Sequence, residues 1–338
     1  MADSNNRPIS LRRIAKEMNL SVATVSWTLS GQGDAKGISA ATQKRVRDFA
    51  AEHNYRPDMI ARSLSLGVTK TIGLLISSLS DPFYSSIAKA VASEAERYGY
   101  SVMIASSESK GDREARLMEM FASYRVDGMI VTPTLNARLG ECVVATGRKI
   151  VMVDRPAANF SAPSVVVDNE QSAYCLVKHL INKGMRRIAI LTTAHNLTNM
   201  RARHTGYLRA LAEAGIEPDD KLMCQVPPSA SRSQIYAELD RLLRECRDVD
   251  GIFFTSHVLV MPTYVYLRDR AHNPGRGENW ACIHTLPELE ELLPDMSIAR
   301  MPIDELGTRA MDTLLELMNS DSDASTANVV LGCEMKLR

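Results

Sequence analysis

Between Ser21 and Trp27 the chain reads SVATVSW, a run that sets small hydroxyl and methyl side chains around one indole. The exposed positions Ser21, Ala23, Thr24 and Trp27, with Val22 and Ser26 beside them, suit a helix face that must approach something closely. A helix laid in the major groove reads bases through hydrogen bonds and through apolar contact with thymine methyls. Bond-making chemistry has no comparable signature: the sequence holds no G-x-x-x-x-G-K-[ST], no H-E-x-x-H and no G-x-S-x-G. GQGDAKG (31–37) approaches G-x-G-x-x-G but has one residue too many and follows a helix instead of a strand. No catalytic residue and no cofactor is therefore expected. The six cysteines (142, 175, 224, 246, 282, 333) are scattered without a C-x-x-C pair or a His/Cys cluster, so they read as free thiols and not as metal ligands.

The elements that must carry the SVATVSW face are short. Ser10 is placed to cap a helix over 11–18, whose stripe is Leu11, Ile14, Ala15 and Met18. A turn at 19–21 leads to a second helix from Val22, buried through Val25 and Leu29 and closed at Gly31. Trp27 falls off that stripe and should face outward. A third helix at about 39–53 supplies Val46, Phe49 and Ala50 to close a small core. Two short helices across a tight turn form a helix-turn-helix. Residues 1–70 hold eleven Lys and Arg against six Asp and Glu, a net of +5 in a chain whose total is zero. A basic head on an acidic body suits a polyanionic partner.

Beyond residue 70, short apolar strands alternate with helix-length segments: TIGLLI (71–76), SVMIA (101–105), GMIVT (128–132), KIVMV (149–153), VVVD (165–168), RIAILT (187–192), LMCQV (222–226), GIFFT (251–255) and WACI (280–283). The first helical segment, 85–98, lines up Ile87, Val91, Ala95 and Tyr98. Such alternation argues for parallel sheets covered on both faces. VDGMIVT (126–132) recurs as VDGIFFT (249–255), the mark of a duplicated α/β half. The expected fold is thus α/β, two doubly wound sheets in two lobes with a helix-turn-helix ahead of them. Ligands of such sheets lie beyond the carboxyl ends of the strands, which places a small-molecule site between the lobes. No apolar run approaches a membrane span and the start is polar, so a cytoplasmic protein is expected.

I-A-K-E-M-N-L-S-V-A-T-V-S, followed by N-Y-R-P-D-M-I-A-R-S-L, S-D-P-F-Y, R-V-D-G-M-I-V-T-P, V-D-R-P and M-P-I-D-E-L-G-T-R-A, resembles the lactose/galactose/purine-repressor (LacI-type) family of bacterial transcription regulators. The resemblance is close from residue 9 to about 215 and thins beyond it. It implies a regulator, expected to be a repressor of carbohydrate-metabolism genes, with a periplasmic-binding-protein-like body that binds a sugar, sugar acid or sugar phosphate. A non-sugar effector, no effector, or activation are the alternatives. It also implies a homodimer on a pseudo-palindromic operator in double-stranded DNA. Its divisions would be a headpiece (1–57), a hinge (58–70), a first lobe (71–163 with 302–327) and a second lobe (164–301 with 328–338). The chain would cross between lobes near 162–165, 297–302 and 326–329.

Carried over residue by residue, the resemblance puts DNA contacts at Ser10, Ser21, Val22, Ala23, Thr24, Ser26 and Trp27, with Asn54, Tyr55, Ala61, Arg62 and Ser63 near the backbone. Leu64 would wedge into the minor groove from a hinge too short to be helical in water alone. Trp27 departs from the family pattern, which often has a hydrogen-bonding residue there, so contact with thymine methyls is expected to replace a guanine contact. The effector cleft would draw on Ser77, Asp81, Phe83, Asp154 and Arg203. In the second lobe Ser256-His257 and His284-Thr285-Leu286 stand where the family usually has Asn-Asp and an acidic run. With two carboxylates gone and Arg201, Arg203, His257 and His284 close by, the expected ligand shifts from a neutral sugar to an anion.

Overall fold

The computed structural model describes residues 9–55, 67–135, 137–193, 196–228, 230–270, 277–320 and 328–338. Contacts divide the chain into two compact units, Met1–Thr69 and Lys70–Arg338.

The first unit is built from three helices, α1 (Leu11–Glu17), α2 (Val22–Leu29) and α3 (Ala40–Glu52). Each starts at a serine, Ser10, Ser21 and Ser39, whose hydroxyl accepts the amide three residues on. A cap of this kind stabilises a helix by about 1 kcal/mol, which matters when the helices are this short. Ile14, Ala15, Val25, Val46 and Ala50 are the buried centre, ringed by half-buried Leu11, Met18, Leu29, Phe49 and Tyr55. Thr28, which the apolar pattern passes over, is also buried because its hydroxyl donates back to the Thr24 carbonyl at 2.8 Å. The loop after α2 turns at Gly31, with φ at +79°, and is pinned by buried Gln43, which donates to Asp34 and to the Ile38 carbonyl.

The second unit contains two six-stranded sheets. Its elements in order are β1 (Thr71–Ile76), α4 (Pro82–Arg97), β2 (Ser101–Ser106), α5 (Gly111–Ser123), β3 (Gly128–Val131), α6 (Leu139–Thr146), β4 (Lys149–Val153), β5 (Ser164–Val167), α7 (Asn169–Asn182), β6 (Ile188–Thr193), α8 (Thr198–Glu213), β7 (Met223–Val226), α9 (Arg232–Glu245), β8 (Gly251–Phe254), α10 (Val260–Asp269), β9 (Trp280–Ile283), α11 (Pro287–Leu292), β10 (Ser297–Arg300), α12 (Ile303–Asn319), β11 (Val329–Leu331) and β12 (Glu334–Lys336). The sheet orders are β11-β5-β4-β3-β1-β2 and β12-β10-β9-β8-β6-β7. Position by position they are the same order, and every pairing is parallel except that of β12 with β10.

The repeated Val-Asp-Gly has a shared mechanical role. Asp127 accepts the Lys70 amide at 2.8 Å, and Asp250 accepts those of Arg186 and Arg187 at 2.7 and 2.8 Å. Each carboxylate thus fixes the start of the neighbouring strand. Gly128 and Gly251 then pass so close to methionines that an added Cβ would lie 2.8 Å from Met318 Sδ or 2.9 Å from Met185 Sδ. At the far end, Thr132 and Thr255 donate their amides to Leu75 and Leu191, and both are fully buried.

Two expectations are corrected. Residues 164–167 and 329–331 belong to the first sheet, because β5 pairs with β4 and β11 pairs with β5. The chain therefore passes from the first sheet to the second after Val167 and after Leu331, a few residues later than expected, and returns between Arg300 and Ile303. The first helical segment begins at Pro82, and while Ile87, Val91 and Ala95 are buried, Tyr98 is 48% exposed. Its ring lies at the helix end, where the hydroxyl donates to Asp312 on α12. All six cysteines are free thiols. No described helix is long and apolar enough to cross a membrane.

Candidate functional site

In the first unit the N-terminal half of α2 is open to solvent. Ser21, Val22 and Ala23 are exposed, Thr24 and Ser26 are half-buried, and the Ser21 and Thr24 hydroxyls are 2.8 Å apart. Trp27 is 37% exposed and takes no part in the core, and Lys36 Nζ lies 5.3 Å from its ring centroid. The face therefore combines hydroxyls, methyls, an indole and a cation. Asn54 is exposed with φ at +48°, whereas the half-buried Tyr55 packs on the core. Ser10 is committed in part to its cap. Ala61, Arg62, Ser63 and Leu64 lie outside the described residues.

In the second unit, a cavity of about 40 Å³ opens between the sheets at the carboxyl ends of their strands. Asp81 caps α4, its Oδ1 accepting the Phe83 amide at 2.9 Å and lying 3.2 Å from His257 Nε2 of the other lobe. Burial would raise the Asp81 pKa, but the His257 contact and the Phe83 amide outweigh it and hold the carboxyl below its ordinary value. Phe83 meets His284 edge to face at 5.2 Å, and His284 meets His257 at 5.4 Å.

Asp154 is held by Arg155 Nη1 at 2.7 Å and by the Tyr84 hydroxyl at 3.2 Å, and across the cleft by Asn199 Nδ2 at 3.3 Å. Arg155 is fully occupied: it donates also to Tyr84, to Ser77 Oγ at 2.6 Å and to the Pro133 carbonyl at 2.7 Å. Its buried charge is thus matched by Asp154, as a desolvated guanidinium requires. Burial pushes the Tyr84 phenol up to about 12. Arg203 on α8 is different. It donates to Asn169 Oδ1 at 2.7 Å and to the Thr255 carbonyl, while Nη2 meets only the Met301 sulfur at 3.9 Å. Burial lowers its pKa. His284 is pushed down to about 3 by burial and by the positive charges near it, so it is neutral at pH 7. His257 Nε2 and His284 Nδ1 are buried without a hydrogen-bond partner.

Residues 10–58 match the family described as bacterial regulatory proteins, lacI family, and residues 69–331 match periplasmic binding proteins and sugar binding domain of LacI family. The chain belongs to the LacI family. Among its relatives, the HTH-type transcriptional regulator RegA of Clostridium saccharobutylicum is 27% identical over 328 residues, spanning 96% of this chain and 97% of that protein. Catabolite control protein A of Priestia megaterium is 25% identical over 316 residues, covering 93% and 94% of the two chains. A crystal structure of the lac repressor dimer bound to operator and the anti-inducer ONPF has the same fold, with a TM-score of 0.83 at 20% identity and coverage of 97% and 98%. This LacI-family chain is therefore a DNA-binding transcriptional regulator with an effector-binding domain.

Of the cleft residues named from sequence, this LacI-family regulator brings Asp81, Phe83, Asp154, Arg203, Ser256, His257 and His284 to one cavity. Three are elsewhere. The Ser77 hydroxyl is taken by Arg155, Arg201 is exposed on the outer side of α8, and Thr285 turns its hydroxyl to the Leu286 carbonyl. Sequence reasoning missed Tyr84, Asn199 and Met301, which also line the cavity, and Arg155 behind it. Tyr84 and Arg155 were both inside quoted motifs, S-D-P-F-Y and V-D-R-P. An arginine directly after the carboxylate at an apolar strand end is the signal that could have identified the pair.

Proposed function

We propose that this regulator acts as a homodimeric repressor of carbohydrate-metabolism genes, releasing or holding its operator according to a small ligand between the lobes. The N-terminal half of α2, capped by Ser21, carries the reading: Ser21, Val22, Ala23 and Trp27 are exposed, Thr24 and Ser26 half-buried, and none of the six belongs to the core. A single headpiece covers only a half-site, so two copies must bind a two-fold operator. Thr24 and Ser21 would meet polar base edges and Trp27 the thymine methyls. Ser10 and Asn54 would meet phosphates, with Tyr55, Ala61, Arg62 and Leu64 engaged at the hinge end.

The ligand is an anion in this reading, a sugar acid or sugar phosphate or a non-sugar anion, because among the described residues no carboxylate pairs with the Arg203 guanidinium in the cleft. The test is selection of operator sequences from a random duplex pool by the full chain, followed by footprinting. A two-fold site, weakened by both Trp27→Ala and Leu64→Ala while the protein stays dimeric, is the expected result. Enrichment of no sequence would overturn the reading.

A further inference from the structure

Two cavities of unlike chemistry meet at Asp81. The inner one, about 40 Å³, is lined by Arg203, His257 and His284. A carboxylate can enter it beside Arg203.

The charges agree. Asp154 is neutralised by Arg155, and Asp81 faces His257. Arg203 has no carboxylate at ion-pair distance among the described residues, and its Nη2 has only a thioether beside it. One unmatched guanidinium calls for one negative charge, and a dianion would meet Asp81 on the same wall. A buried cation left without an anion is costly, so a monoanion entering here is attracted by more than its own contacts. His284, whose Nδ1 is buried without a hydrogen-bond partner, lines the same cavity.

The outer compartment, about 300 Å³, shares Asp81 with the inner one and opens outward. Its walls join apolar side chains, Val226, Pro227, Pro228, Val258 and Leu259 among them, to Ser78, Ser80 and Thr193. Val258 is 40% exposed and the two prolines are exposed as well. Exposed apolar side chains gathered at the mouth of a polar pocket are suited to cover the apolar part of a ligand whose polar end is inside.

Resting on the reading that the cleft binds an effector, we infer that this effector is a small monocarboxylate with an apolar body, the carboxylate against Arg203 and the body against Pro227, Pro228 and Val258. The test is thermal unfolding of the full chain with hydrocinnamate, benzoate and hexanoate, beside D-glucose, D-gluconate, D-glucose 6-phosphate and the alcohol corresponding to hydrocinnamate. At least one of the three carboxylates should raise the Tm, with the alcohol and the carbohydrates inert. Val258→Asp, a change at an exposed site that leaves the Tm of the free protein in place, should weaken that carboxylate about tenfold or more. A shift with gluconate or the hexose phosphate alone would overturn the inference and leave the effector reading standing. No shift with any compound would overturn both. A carboxylate that binds the Val258→Asp protein as well as the parent would remove the outer compartment from the site.

Discussion

Asp154 and His284 occupy the same place in the two lobes, each the first residue after an equivalent strand, β4 and β9, and each left-handed, with φ at +73° and +61°. Their amides are held alike, donating to Val165 on β5 and to Ala299 on β10, themselves equivalent strands. A non-glycine residue in this region costs of order 1 kcal/mol, and the surrounding sheet must impose it. The duplicated fold thus turns one side chain from each lobe into the cleft by the same backbone device, a carboxylate on one side and an imidazole on the other.

Removing the carboxylate should expose how much Arg155 depends on it. Asp154→Ala leaves a guanidinium buried without a counter-charge and should destabilise the second unit by about 3–5 kcal/mol. Asp154→Ala combined with Arg155→Met should recover much of that loss. Urea unfolding of Asp154→Ala, Arg155→Met and the double variant measures it, and strictly additive losses would mean the pair is not coupled.

Two buried groups should give opposite pH dependences. Glu114 has no exposed surface, accepts the Thr134 amide at 2.7 Å, and is raised by burial to about 7 from an ordinary 4.5. Between those values the folded chain binds a proton that the unfolded chain has lost, so stability falls as pH rises through the window. His284 is the reverse. Its pKa is lowered to about 3 from 6.5, so stability falls as pH drops from about 6.5. Relative to the parent, Glu114→Gln should gain stability as pH rises from about 4.5 to 7, and His284→Asn should gain as pH falls below about 6.5. Denaturant midpoints across that range decide, and parallel curves would contradict both assignments.

Trp27→Ala should separate recognition from folding. Because Trp27 lies outside the core, stability should change by less than about 0.5 kcal/mol, while operator affinity drops by about 1–3 kcal/mol. The dependence of affinity on salt should stay the same, since an indole releases no counterions. A changed salt slope would mean that Trp27 positions the backbone contacts instead.

Gly206 sits at a close crossing of α7 and α8. A Cβ there would lie 2.2 Å from the Glu170 carbonyl oxygen, which belongs to the facing helix α7. Gly206→Ala should therefore cost about 1–3 kcal/mol and push apart α7 and α8. Arg203, one turn earlier on α8, would shift with it, so ligand affinity should fall together with the thermal midpoint.

What could be read from the sequence divides by range. The strands were visible because TIGLLI or GIFF are nearly unbroken apolar runs, and the duplication because Asp127 and Asp250 do the same capping work. Ser10 was read as a cap, whereas Ser21 was placed in the turn and Ser39 in the third helix, and both also cap. The lobe boundaries were placed a few residues early because membership of β5 and β11 depends on pairing across the chain, which no local pattern records. Arg201 and Arg203 looked alike in M-R-A-R, yet two positions on a helix point some 200° apart, and only Arg203 enters the core. Ser77, expected in the cleft, has its hydroxyl occupied by an arginine seventy-eight positions later.

The contacts that bridge the lobes, Asp81 to His257, Asp154 to Asn199, Phe83 to His284 and the Thr198 hydroxyl to the Pro156 carbonyl at 2.9 Å, also set a tempo. If these four contacts must part before a solute reaches Arg203, the site is open only for the fraction of time in which they are undone. Apparent affinity is reduced by that fraction. The observed association rate would then climb with concentration only until it equals the rate at which the contacts part, and the speed at which the gene responds would be written into four contacts that never touch DNA.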